Sequence, residues 1–404
     1  MHARFIQLEF SDFDSFPEGG QTTSARQTRQ VFGDEVALVG ITCDDETPTG
    51  IWTRKVLDGT EHDFFALARV RPSSRKPLIP MRASAFLALR RYRRRILAHP
   101  CRHLLIRAPE VLMGLGDMPG HEICLHMPGV ENPLKRSRYW YGRLLAERFQ
   151  RLFLRRLGHV DVALAAADEE SIRAFSEECA RETSCPRIAQ FPTRFDEQVF
   201  YPRDRITTRH HLQISSDAPV LVGVGRLNRF KGWALVIQAF VEFRYRFPEA
   251  LLFILGEGEE RAALQRQIAD NALERHARLL GHCDQETVAA YMSAATFVVS
   301  GSSVEGWSTT LVEAIACEVP VCTTEFSSAR ELVQDGINGY VVTDRTPAGF
   351  SAALVDCLGL PREGLHRRAC EISDLAVARL REALMHAWPA PFTKVSDVSR
   401  VAHV

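Results

Sequence analysis

The sequence has 404 residues, of which 46% are apolar and 25% are charged. A chain of this composition and length buries large cores without disulfides, which excludes a collagen-like fibre, a disordered tail and a small disulfide scaffold. No stretch approaches the ~20 apolar residues that cross a bilayer, and residues 1–11 lack the apolar core of a signal peptide. The sequence predicts a cytoplasmic protein of two or three domains. Its ten cysteines form no C-x-x-C pair, so we predict no metal site.

The charges are unevenly distributed, although the formal net charge is zero. Residues 1–68 hold 5 basic and 12 acidic side chains, residues 69–156 hold 20 and 5, and residues 157–404 hold 25 and 33. Such an excess of cations creates a positive potential that attracts anionic partners. The basic region, residues 69–156, is therefore a candidate contact surface.

The first 200 residues predict strands and helices in alternation. Apolar runs indicate buried strands, and apolar residues at helical spacing indicate amphipathic helices. In chain order we predict strand 4–10, helix 22–31, strand 35–42, helix 81–98, strands 103–107 and 122–126, helix 139–157 and strand 160–166.

The second half shows a more regular alternation. Strands are predicted at 219–225, 250–256, 277–281, 296–300, 319–324 and 339–342. Helices are predicted between them at 233–247, 259–271, 285–294, 309–317 and 329–334. Continuous apolar strands with intervening helices are typical of a parallel sheet covered on both faces.

The predicted domains follow from this pattern. We expect an α/β fold with a first Rossmann-like, doubly wound domain at 1–200 and a second at 218–372. The polar segment 201–217, which contains Pro202, is the predicted linker. Residues 373–404 are predicted to form a C-terminal helix that crosses back to the first domain, followed by a tail. Ligands of such sheets bind at the carboxyl ends of the strands, so two facing domains predict an interdomain cleft.

The sequence EGWSTTLVE at 305–313 follows a predicted strand and opens a helix. Gly306 and the hydroxyl residues after it leave backbone N–H groups at a helix N-terminus, where phosphate binds well. Glu313 can accept hydrogen bonds from sugar hydroxyls. A capping box, with Ser308 as N-cap and Glu313 spaced from Thr310, explains Glu313 without a ligand but leaves Glu305 and Gly306 unexplained.

The sequence GVGRLNRFKG at 223–232 also lies between a strand and a helix. Arg226 and Lys231 bring two cations to the end of the strand, as stabilisation of a leaving diphosphate requires. Two solvated surface cations are the alternative. A nicotinamide fingerprint needs glycine at position 228, where the chain has Asn228.

Two weaker signals lie in the first half. Gly19 and Gly20 precede a helix, and a tight turn explains them equally well. His126 ends a predicted strand, where a structural histidine is more common than a catalytic one.

From 219 to 342 the chain resembles the nucleotide-sugar-binding half of the retaining glycosyltransferases of family 4, which have the GT-B fold. The matching segments, in the family's order, are GRLNRFKG at 225–232, LFILGEGEER at 252–261, LLGHCDQETVAAYMSAATFVVSGS at 279–302, EGWSTTLVEA at 305–314 and ELVQDGINGYVV at 331–342. The first half resembles the family more loosely, through Gly19 and Gly20, ICLHMPG at 123–129 and residues 188–202.

The resemblance implies a role for each matching residue. Arg226 and Lys231 hold the donor diphosphate, Glu305 contacts the transferred sugar, and Glu313 contacts the ribose. His126 lies against the transferred sugar, so His126, Arg226, Lys231 and Glu305 are the implied catalytic set. The implied donor-binding set is Gly19, Gly20, Gly225, Arg226, Lys231, Gly256, Gly258, Glu305, Gly306, Trp307, Ser308, Thr309, Thr310 and Glu313.

The implied activity is retaining, metal-independent transfer of a hexosyl group from a nucleotide sugar to a glycan or lipid-linked acceptor. We expect a role in bacterial surface polysaccharide or glycolipid synthesis. No resident cofactor is expected, because the nucleotide sugar is a co-substrate. The alternatives are a nucleotide-sugar-binding regulatory protein without turnover and a nucleotide-sugar epimerase of the same fold.

The basic region bears on the acceptor and on localisation. Residues 135–156 interleave eight cations with aromatic side chains, and family acceptors are often lipid-linked. We expect peripheral contact with an anionic membrane, at the inner face of the cytoplasmic membrane. Solvated helix faces are the alternative. Nucleic acid is not expected as a partner, since no nucleic-acid motif accompanies the charge.

Overall fold

The computed structural model describes residues 3–17, 19–71, 81–135, 140–215 and 217–393. The chain divides into two compact units. The first consists of Met1–Pro192 together with Arg379–Val404, and the second of Thr193–Ala378. Parts of the basic region, 72–80 and 136–139, and most of the predicted tail, 394–404, lie outside the described residues.

The first unit is built on an eight-stranded sheet. Its strands are β1 (Phe5–Leu8), β2 (Val36–Thr42), β3 (Trp52–Leu57), β4 (Thr60–Arg69), β5 (His103–Ile106), β6 (Glu122–Met127), β7 (Val162–Ala165) and β8 (Arg187–Gln190). Their order is β3-β4-β2-β1-β5-β6-β7-β8. All neighbours are parallel except β3 and β4. Without β3, this is the doubly wound order in which the chain reverses direction beside β1.

Helices cover both faces of this sheet. They are α1 (Gly20–Phe32), α2 (Met81–Ile96), α3 (Pro109–Leu115), α4 (Trp140–Leu144), α5 (Ala146–Leu157) and α6 (Glu169–Glu182). Apolar residues of α2, α3, α5 and α6 form one core with the sheet, and residues of α1 contribute to the core on the other face. Successive strand residues point to opposite faces, so Val39 packs in the first core and Leu38 in the second.

The hairpin of β3 and β4 was not predicted from the sequence. Its turn is Asp58–Gly59, and both residues have positive φ, 48° and 75°. Asp-Gly is the pair that such a two-residue turn favours. β3 is partly exposed along its length and therefore lacks a continuous apolar run. The turn signal was present in the sequence, but the strand signal was weak.

The second unit contains a six-stranded sheet, all parallel. Its strands are β9 (Val220–Val224), β10 (Leu251–Leu255), β11 (Ala277–Gly281), β12 (Phe297–Ser300), β13 (Val321–Thr324) and β14 (Gly339–Val342). The order is β11-β10-β9-β12-β13-β14. The helices are α7 (Arg205–His211), α8 (Trp233–Arg246), α9 (Arg261–Asp270), α10 (Gln285–Ala294), α11 (Thr309–Ala316), α12 (Ala329–Leu332), α13 (Pro347–Cys357) and α14 (Arg362–Glu371). The prediction of two doubly wound α/β units is confirmed.

The predicted linker, 201–217, is wrong. The structure places α7 within this segment, as part of the second unit. Arg209 on α7 is buried, and its guanidinium donates to the carbonyls of Ala294 (2.8 Å) and Ala218 (2.9 Å) and to Thr296 Oγ1 (3.1 Å). The polar sequence of this segment gives no sign of these hydrogen bonds, because they join a buried arginine to backbone groups that are distant in the chain.

The chain returns to the first unit near its end, after Ala378 rather than after residue 372. Residues 373–378 stay with the second unit, where Phe195 N–H donates to Leu375 O (3.1 Å) and Val377 N–H to Phe195 O (2.9 Å). The following helix, α15 (Leu380–Ala387), belongs to the first unit. Trp388 is fully buried there, and its indole N–H donates to Glu122 Oε1 (3.2 Å).

None of the helices in the described part of the chain has the length and apolar character needed to cross a bilayer.

Candidate functional site

The candidate site lies where the second sheet reverses its winding. β9 and β12 are parallel neighbours, and their successors β10 and β13 extend to opposite sides of the sheet. The loops that leave the two strands, 225–232 and 301–308, therefore emerge side by side at the carboxyl edge. Open α/β sheets bind their ligands at this point. The two loops are in direct contact, since Ser303 N–H donates to Phe230 O at 2.8 Å.

A lysine and a glutamate meet between these loops. Lys231 Nζ forms a short ion pair with Glu305 Oε1. Glu305 Oε1 also accepts from Ser302 Oγ at 2.8 Å. The lysine side chain is 24% exposed and the glutamate 16%, so the pair is shielded but still reachable from solvent. The pairing joins residues 74 positions apart in the sequence, and it brings two predicted catalytic residues together.

Residues that sequence reasoning missed hold the glutamate loop in place. Arg345 donates through Nη1 to Ser302 O and through Nη2 to Gly301 O, both at 2.9 Å. Ser302 in turn hydrogen-bonds Glu305. Arg345 lies 40 residues after Glu305 and belongs to no recognisable pattern, so no sequence signal identified it.

Arg226 lies two residues beyond β9 at the same edge. Its side chain is exposed, and its backbone carbonyl accepts from the indole N–H of Trp233 at 2.9 Å. Asn228 follows, and its side-chain oxygen accepts from the N–H groups of Phe230 (3.0 Å) and Lys231 (3.2 Å). This bonding shapes the turn that presents Lys231.

The predicted donor-binding glycines have packing reasons for being glycine. A Cβ on Gly256 would lie 2.0 Å from Gly225 O, and one on Gly258 would lie 2.3 Å from Leu227 O. These glycines allow the loop after β10 to pack on the loop after β9. At Gly225, with φ +145°, a Cβ would lie 3.3 Å from the Lys231 side chain. The structure thus shows why these positions exclude side chains. The contact of the three glycines with a donor stays a prediction.

The 306–310 segment connects Glu305 to α11. Gly306, Thr309 and Thr310 are partly buried, while Trp307 and Ser308 are buried. Ser308 is the N-cap of α11, but its side chain makes no capping bond. Its N–H donates to Ser328 Oγ at 3.2 Å, and Thr310 Oγ1 donates to Val224 O at 3.5 Å. The capping-box alternative is therefore not realised, and the Ser308 N–H is already used within the protein.

Glu313 lies on the same helix and is buried. The structure records no ion pair or hydrogen bond for its carboxyl group among the described residues. Burial alone raises the pKa of Glu313 to about 8. A buried carboxyl without a cation is unusual, and functional sites are enriched in such groups.

The remaining predicted residues belong to the first unit. His126 is the penultimate residue of β6 and is buried, with its ring edge-to-face against Phe191 at 5.5 Å between centroids. Gly19, with φ +137°, is the N-cap of α1, which begins at Gly20. No side chain of the described residues caps this helix end, and its first turn contains no acidic residue. The roles of His126, Gly19 and Gly20 in binding the donor stay predictions.

A second polar cluster lies at the corresponding reversal point of the first sheet, between β1 and β5. Glu9 and Arg107 are both buried, with Glu9 Oε2 3.7 Å from Arg107 Nε. Burial holds the pKa of Glu9 above its ordinary value, despite the opposing effect of the arginine. Arg82 and Glu110 form a second pair at 3.0 Å. Sequence reasoning missed these residues because each appears singly in an ordinary strand or helix.

No group of three or more His, Cys, Asp or Glu side chains suited to holding a metal ion occurs within the described residues.

Comparison with known proteins relates this site to a family of transferases. Residues 204–369 match the family model described as "Glycosyl transferases group 1". This range contains α7 and the whole six-stranded sheet, with Lys231, Glu305 and Glu313. The family model therefore covers most of the second unit.

Characterised relatives match the chain over part of its length. A GDP-mannose-dependent alpha-(1-6)-phosphatidylinositol monomannoside mannosyltransferase of Mycolicibacterium smegmatis is 32% identical over 186 residues, covering 43% of this chain and 48% of that protein. A lipopolysaccharide core biosynthesis glycosyltransferase, LpsE, of Rhizobium meliloti is 30% identical over 146 residues, covering 36% and 41%. The matched part of the chain spans less than half the length of either relative.

Solved structures match nearly the whole chain. Sucrose-phosphate synthase from Thermosynechococcus elongatus has a TM-score of 0.73 at 16% identity, covering 96% of this chain and 99% of that one. Anabaena Alr3699/HepE, solved in complex with UDP and glucose, has a TM-score of 0.70 at 16% identity, covering 96% and 100%. At these identities the likeness establishes the fold, which is that of the GT-B glycosyltransferases.

Proposed function

We propose that the protein is a retaining, metal-independent hexosyltransferase that uses a nucleotide-sugar donor. The observation that carries the proposal is the Lys231–Glu305 ion pair, placed at the reversal point of a glycosyl transferases group 1 domain. A cation beside a carboxylate suits a nucleotide sugar. The cation neutralises the diphosphate, and the carboxylate accepts hydrogen bonds from sugar hydroxyls.

In the proposed reaction, the bond between the anomeric carbon and the phosphate oxygen breaks while an acceptor oxygen bonds to the same face of that carbon. The proton of the acceptor hydroxyl passes to the leaving phosphate. Negative charge grows on the diphosphate as its bond breaks, and Arg226 and Lys231 stabilise that charge where a metal ion would otherwise do so. Glu313 binds the ribose, and the resemblance assigns His126 and the backbone of Gly20 to the transferred sugar and the phosphates.

The first experiment is a thermal-shift screen of the whole protein against UDP-, GDP- and ADP-sugars, with and without a chelator. We expect one nucleotide class to raise the melting temperature, with no change on chelation. Slow release of the nucleoside diphosphate from the bound sugar nucleotide is then measured as the sign of turnover. Binding without release supports the regulatory alternative, and conversion to an epimeric sugar nucleotide supports the epimerase. A shift that chelation abolishes contradicts metal independence.

Lys231→Ala tests the diphosphate role directly. We expect turnover to fall by about 10²–10³-fold, because a charge that acts mainly in the transition state is lost. Arg229→Ala is the matched control, since Arg229 is an exposed cation of the same turn without an ion pair to Glu305. Comparable kinetics in the two variants contradict the assigned role.

We also propose that the acceptor is a glycan or lipid-linked molecule and that the first unit contacts an anionic membrane. The two relatives described above are named for a phosphatidylinositol mannoside and for the lipopolysaccharide core. Helices α2 and α5 lie on the same face of the first sheet, each packed against α3. Exposed residues on α4 and α5 include Leu144, Arg148, Arg151, Leu152 and Arg155.

The spacing of these exposed residues is helical, so they form one basic and aliphatic face. Exposed arginines of α2 line a groove of about 710 Å³ near Asp117 and His121, namely Arg90, Arg91 and Arg94. Each basic residue near an anionic surface contributes about 1 kcal/mol to binding, and the leucines can enter the headgroup layer. The contact would place the enzyme at the inner face of the cytoplasmic membrane.

Sedimentation with vesicles of mixed phosphatidylglycerol and phosphatidylcholine tests this contact. The double variant R148E/R151E should bind at least about tenfold more weakly than the wild type, and added salt should release the wild type. R275E/R278E reverses two exposed charges of the second unit and serves as the control. Equal binding of both variants, or no binding by the wild type, contradicts the membrane proposal.

A further inference from the structure

Three side chains on the surface of the second unit form a hydrogen-bonded cluster outside the candidate site, namely Cys370, His366 and Glu318. His366 Nδ1 lies 2.6 Å from Glu318 Oε1, and Cys370 Sγ lies 3.7 Å from His366 Nε2. His366 and Cys370 are four residues apart on α14, so they lie on the same face of that helix. Glu318 lies two residues beyond the end of α11, against which α14 packs. The cluster therefore joins a thiol, an imidazole and a carboxylate from two elements of the fold.

The hydrogen bonds give each member of the cluster a distinct chemical role. A carboxylate oxygen accepts, so Nδ1 of His366 donates to Glu318 and carries the proton of the neutral ring. The lone pair of Nε2 then faces the Cys370 thiol and can accept its proton. A nucleophile, a base and an acid that orients the base are the arrangement by which proteins activate a thiol.

Cys370 is also the most accessible thiol. All ten cysteines lie in the described part of the chain, where Cys370 is exposed and the others are buried or partly buried. Burial raises the pKa of most of the other thiols, which are those of Cys43, Cys101, Cys124, Cys179, Cys283, Cys317 and Cys322. Buried, protonated thiols are inert. We therefore expect a thiol reagent in solution to react first at Cys370.

Glu318 has an unusual backbone conformation. Its φ is +55°, in the left-handed region that glycine adopts without strain. The Glu318 side chain is 28% exposed and that of His366 69%, and ion pairs at the surface contribute little to stability. Stability therefore does not account for a glutamate at this position, whereas orientation of the His366 ring does.

The other charges near Cys370 give little support to a thiolate. Cys370 lies in the last turn of α14, where the helix dipole disfavours negative charge. Arg367 lies three residues earlier and faces Glu371 at 3.9 Å, while Arg368 pairs with the same glutamate at 2.6 Å. Among the described residues, His366 is therefore the group on which loss of the thiol proton depends.

We propose that Cys370 is a modification site that forms a mixed disulfide with small-molecule disulfides, with His366 as its base and Glu318 as a positioning residue. The Sγ–H proton passes to His366 Nε2, and Sγ bonds to one sulfur of the small disulfide. The S–S bond of that molecule breaks, and its other sulfur leaves as a thiolate that takes up the proton. The protein thiol is oxidised and the small disulfide is reduced. Exchange of this kind requires a thiolate and free access, and the cluster supplies both.

The experiment follows the reaction of the whole protein with glutathione disulfide at pH 7, by mass spectrometry of tryptic peptides. Peptide 369–379 contains Cys370 and no other cysteine. We expect this peptide to be modified before every other cysteine-containing peptide, and dithiothreitol to reverse the modification.

His366→Gln keeps the exposed thiol and removes the base. We expect Cys370 to react at least about threefold more slowly in this variant. The base raises the thiolate fraction about tenfold, and the lower nucleophilicity of the stabilised thiolate offsets part of that gain.

Glu318→Gly tests the positioning role separately from stability. The change removes the carboxylate and suits the left-handed backbone, so we expect a slower reaction and a melting temperature at or above that of the wild type. Glu363→Gln is the matched control, because it neutralises an exposed glutamate of α14 that has no bond to His366 within the described residues. This control should react like the wild type.

Equal rates in the wild type and His366→Gln overturn the inference, as does modification of another cysteine ahead of Cys370. An unchanged rate in Glu318→Gly, together with a lower melting temperature, would mark a purely structural ion pair and overturn the positioning role. The inference is independent of the proposed function, because none of the three residues belongs to the implied catalytic or donor-binding set. Nucleotide-sugar binding is measured separately, so either proposal can fail alone.

Discussion

The glutamates at the two ends of the 305–313 motif have carboxyl groups in contrasting environments. Glu305 faces a cation and a hydroxyl group, so its charge is compensated. Glu313 is buried on α11 with no cation paired to it among the residues that the structure describes, and burial raises its pKa to about 8. A carboxyl in that environment is mostly protonated at neutral pH, and its ionised form is destabilising. The two side chains therefore lie in different electrostatic environments within one motif, which suits them to different ligand groups.

Glu313→Gln should reveal this difference in the pH dependence of stability. The pKa of the folded state is raised above the unfolded value near 4.5, so the native protein holds this proton more tightly. Below pH 4.5 the proton on Glu313 makes its full contribution to the stability of the folded state. This contribution is lost as pH rises towards 8. Over that window the wild type should lose about 1.4 kcal/mol per pH unit relative to Glu313→Gln.

Urea unfolding at several pH values between 5 and 8 measures this loss. Glu249→Gln, which neutralises an exposed glutamate of the second unit, is the control and should follow the wild type. A difference between Glu313→Gln and wild type that stays constant with pH would contradict the burial argument.

The two loops of the site depend on a close backbone contact between glycines. Gly232 has φ +64°, and a Cβ built on it would lie 1.9 Å from Gly301 O. This contact seats the N-terminus of α8 against the loop that leaves β12. Neither glycine is assigned a ligand contact. They permit the approach that brings Lys231 to Glu305.

Gly232→Ala should therefore separate the loops. The added methyl group would meet backbone rather than a movable side chain, and the left-handed conformation adds strain. We expect a loss of about 2–4 kcal/mol in stability and at least about tenfold weaker donor binding. Gly359→Ala is the control, because its Cβ would find an ordinary contact at 3.7 Å. Equal melting temperatures and donor affinities in the two variants would refute this role of Gly232.

At the scale of the whole molecule, each unit has its own reversal point with a charged pair. The second unit has Lys231 and Glu305, and the first has the buried Glu9 and Arg107. The chain passes from the first unit to the second and then returns to complete the first. Trp388 and Arg381 lie in this returning segment, and Arg381 donates to Glu35 Oε1 at 2.6 Å. The core of the first unit thus requires both ends of the described chain.

Trp388→Ala should destabilise the first unit selectively. Removing a fully buried tryptophan leaves a cavity and an unpaired Glu122 carboxylate, with an expected loss of about 3–5 kcal/mol. Limited proteolysis should show earlier cleavage within residues 3–192, while the second unit keeps its protection. Simultaneous loss of protection in both units would contradict this assignment of the returning segment.

The sheet of the second unit could be predicted almost completely from the sequence. Its strands are short continuous apolar runs, such as 219–225, and parallel pairing on both sides makes such runs necessary. The first unit was less predictable. β3 is half exposed, and α4 and α5 replace the single helix predicted over 139–157. Exposure and short breaks weaken the periodic signals on which prediction depends.

The sequence alone determined the α/β class, the order of the motifs and the identity of the candidate donor-binding residues, because these depend on neighbours in the chain. The tertiary structure decided the rest. It paired Lys231 with Glu305, placed Arg209 and α7 in the second unit, returned Trp388 to the first, and left the Trp307 N–H without an acceptor within the described part of the chain. Each of these depends on groups far apart in sequence, and whether a buried polar group is satisfied is set only when the folded chain fixes its neighbours in space.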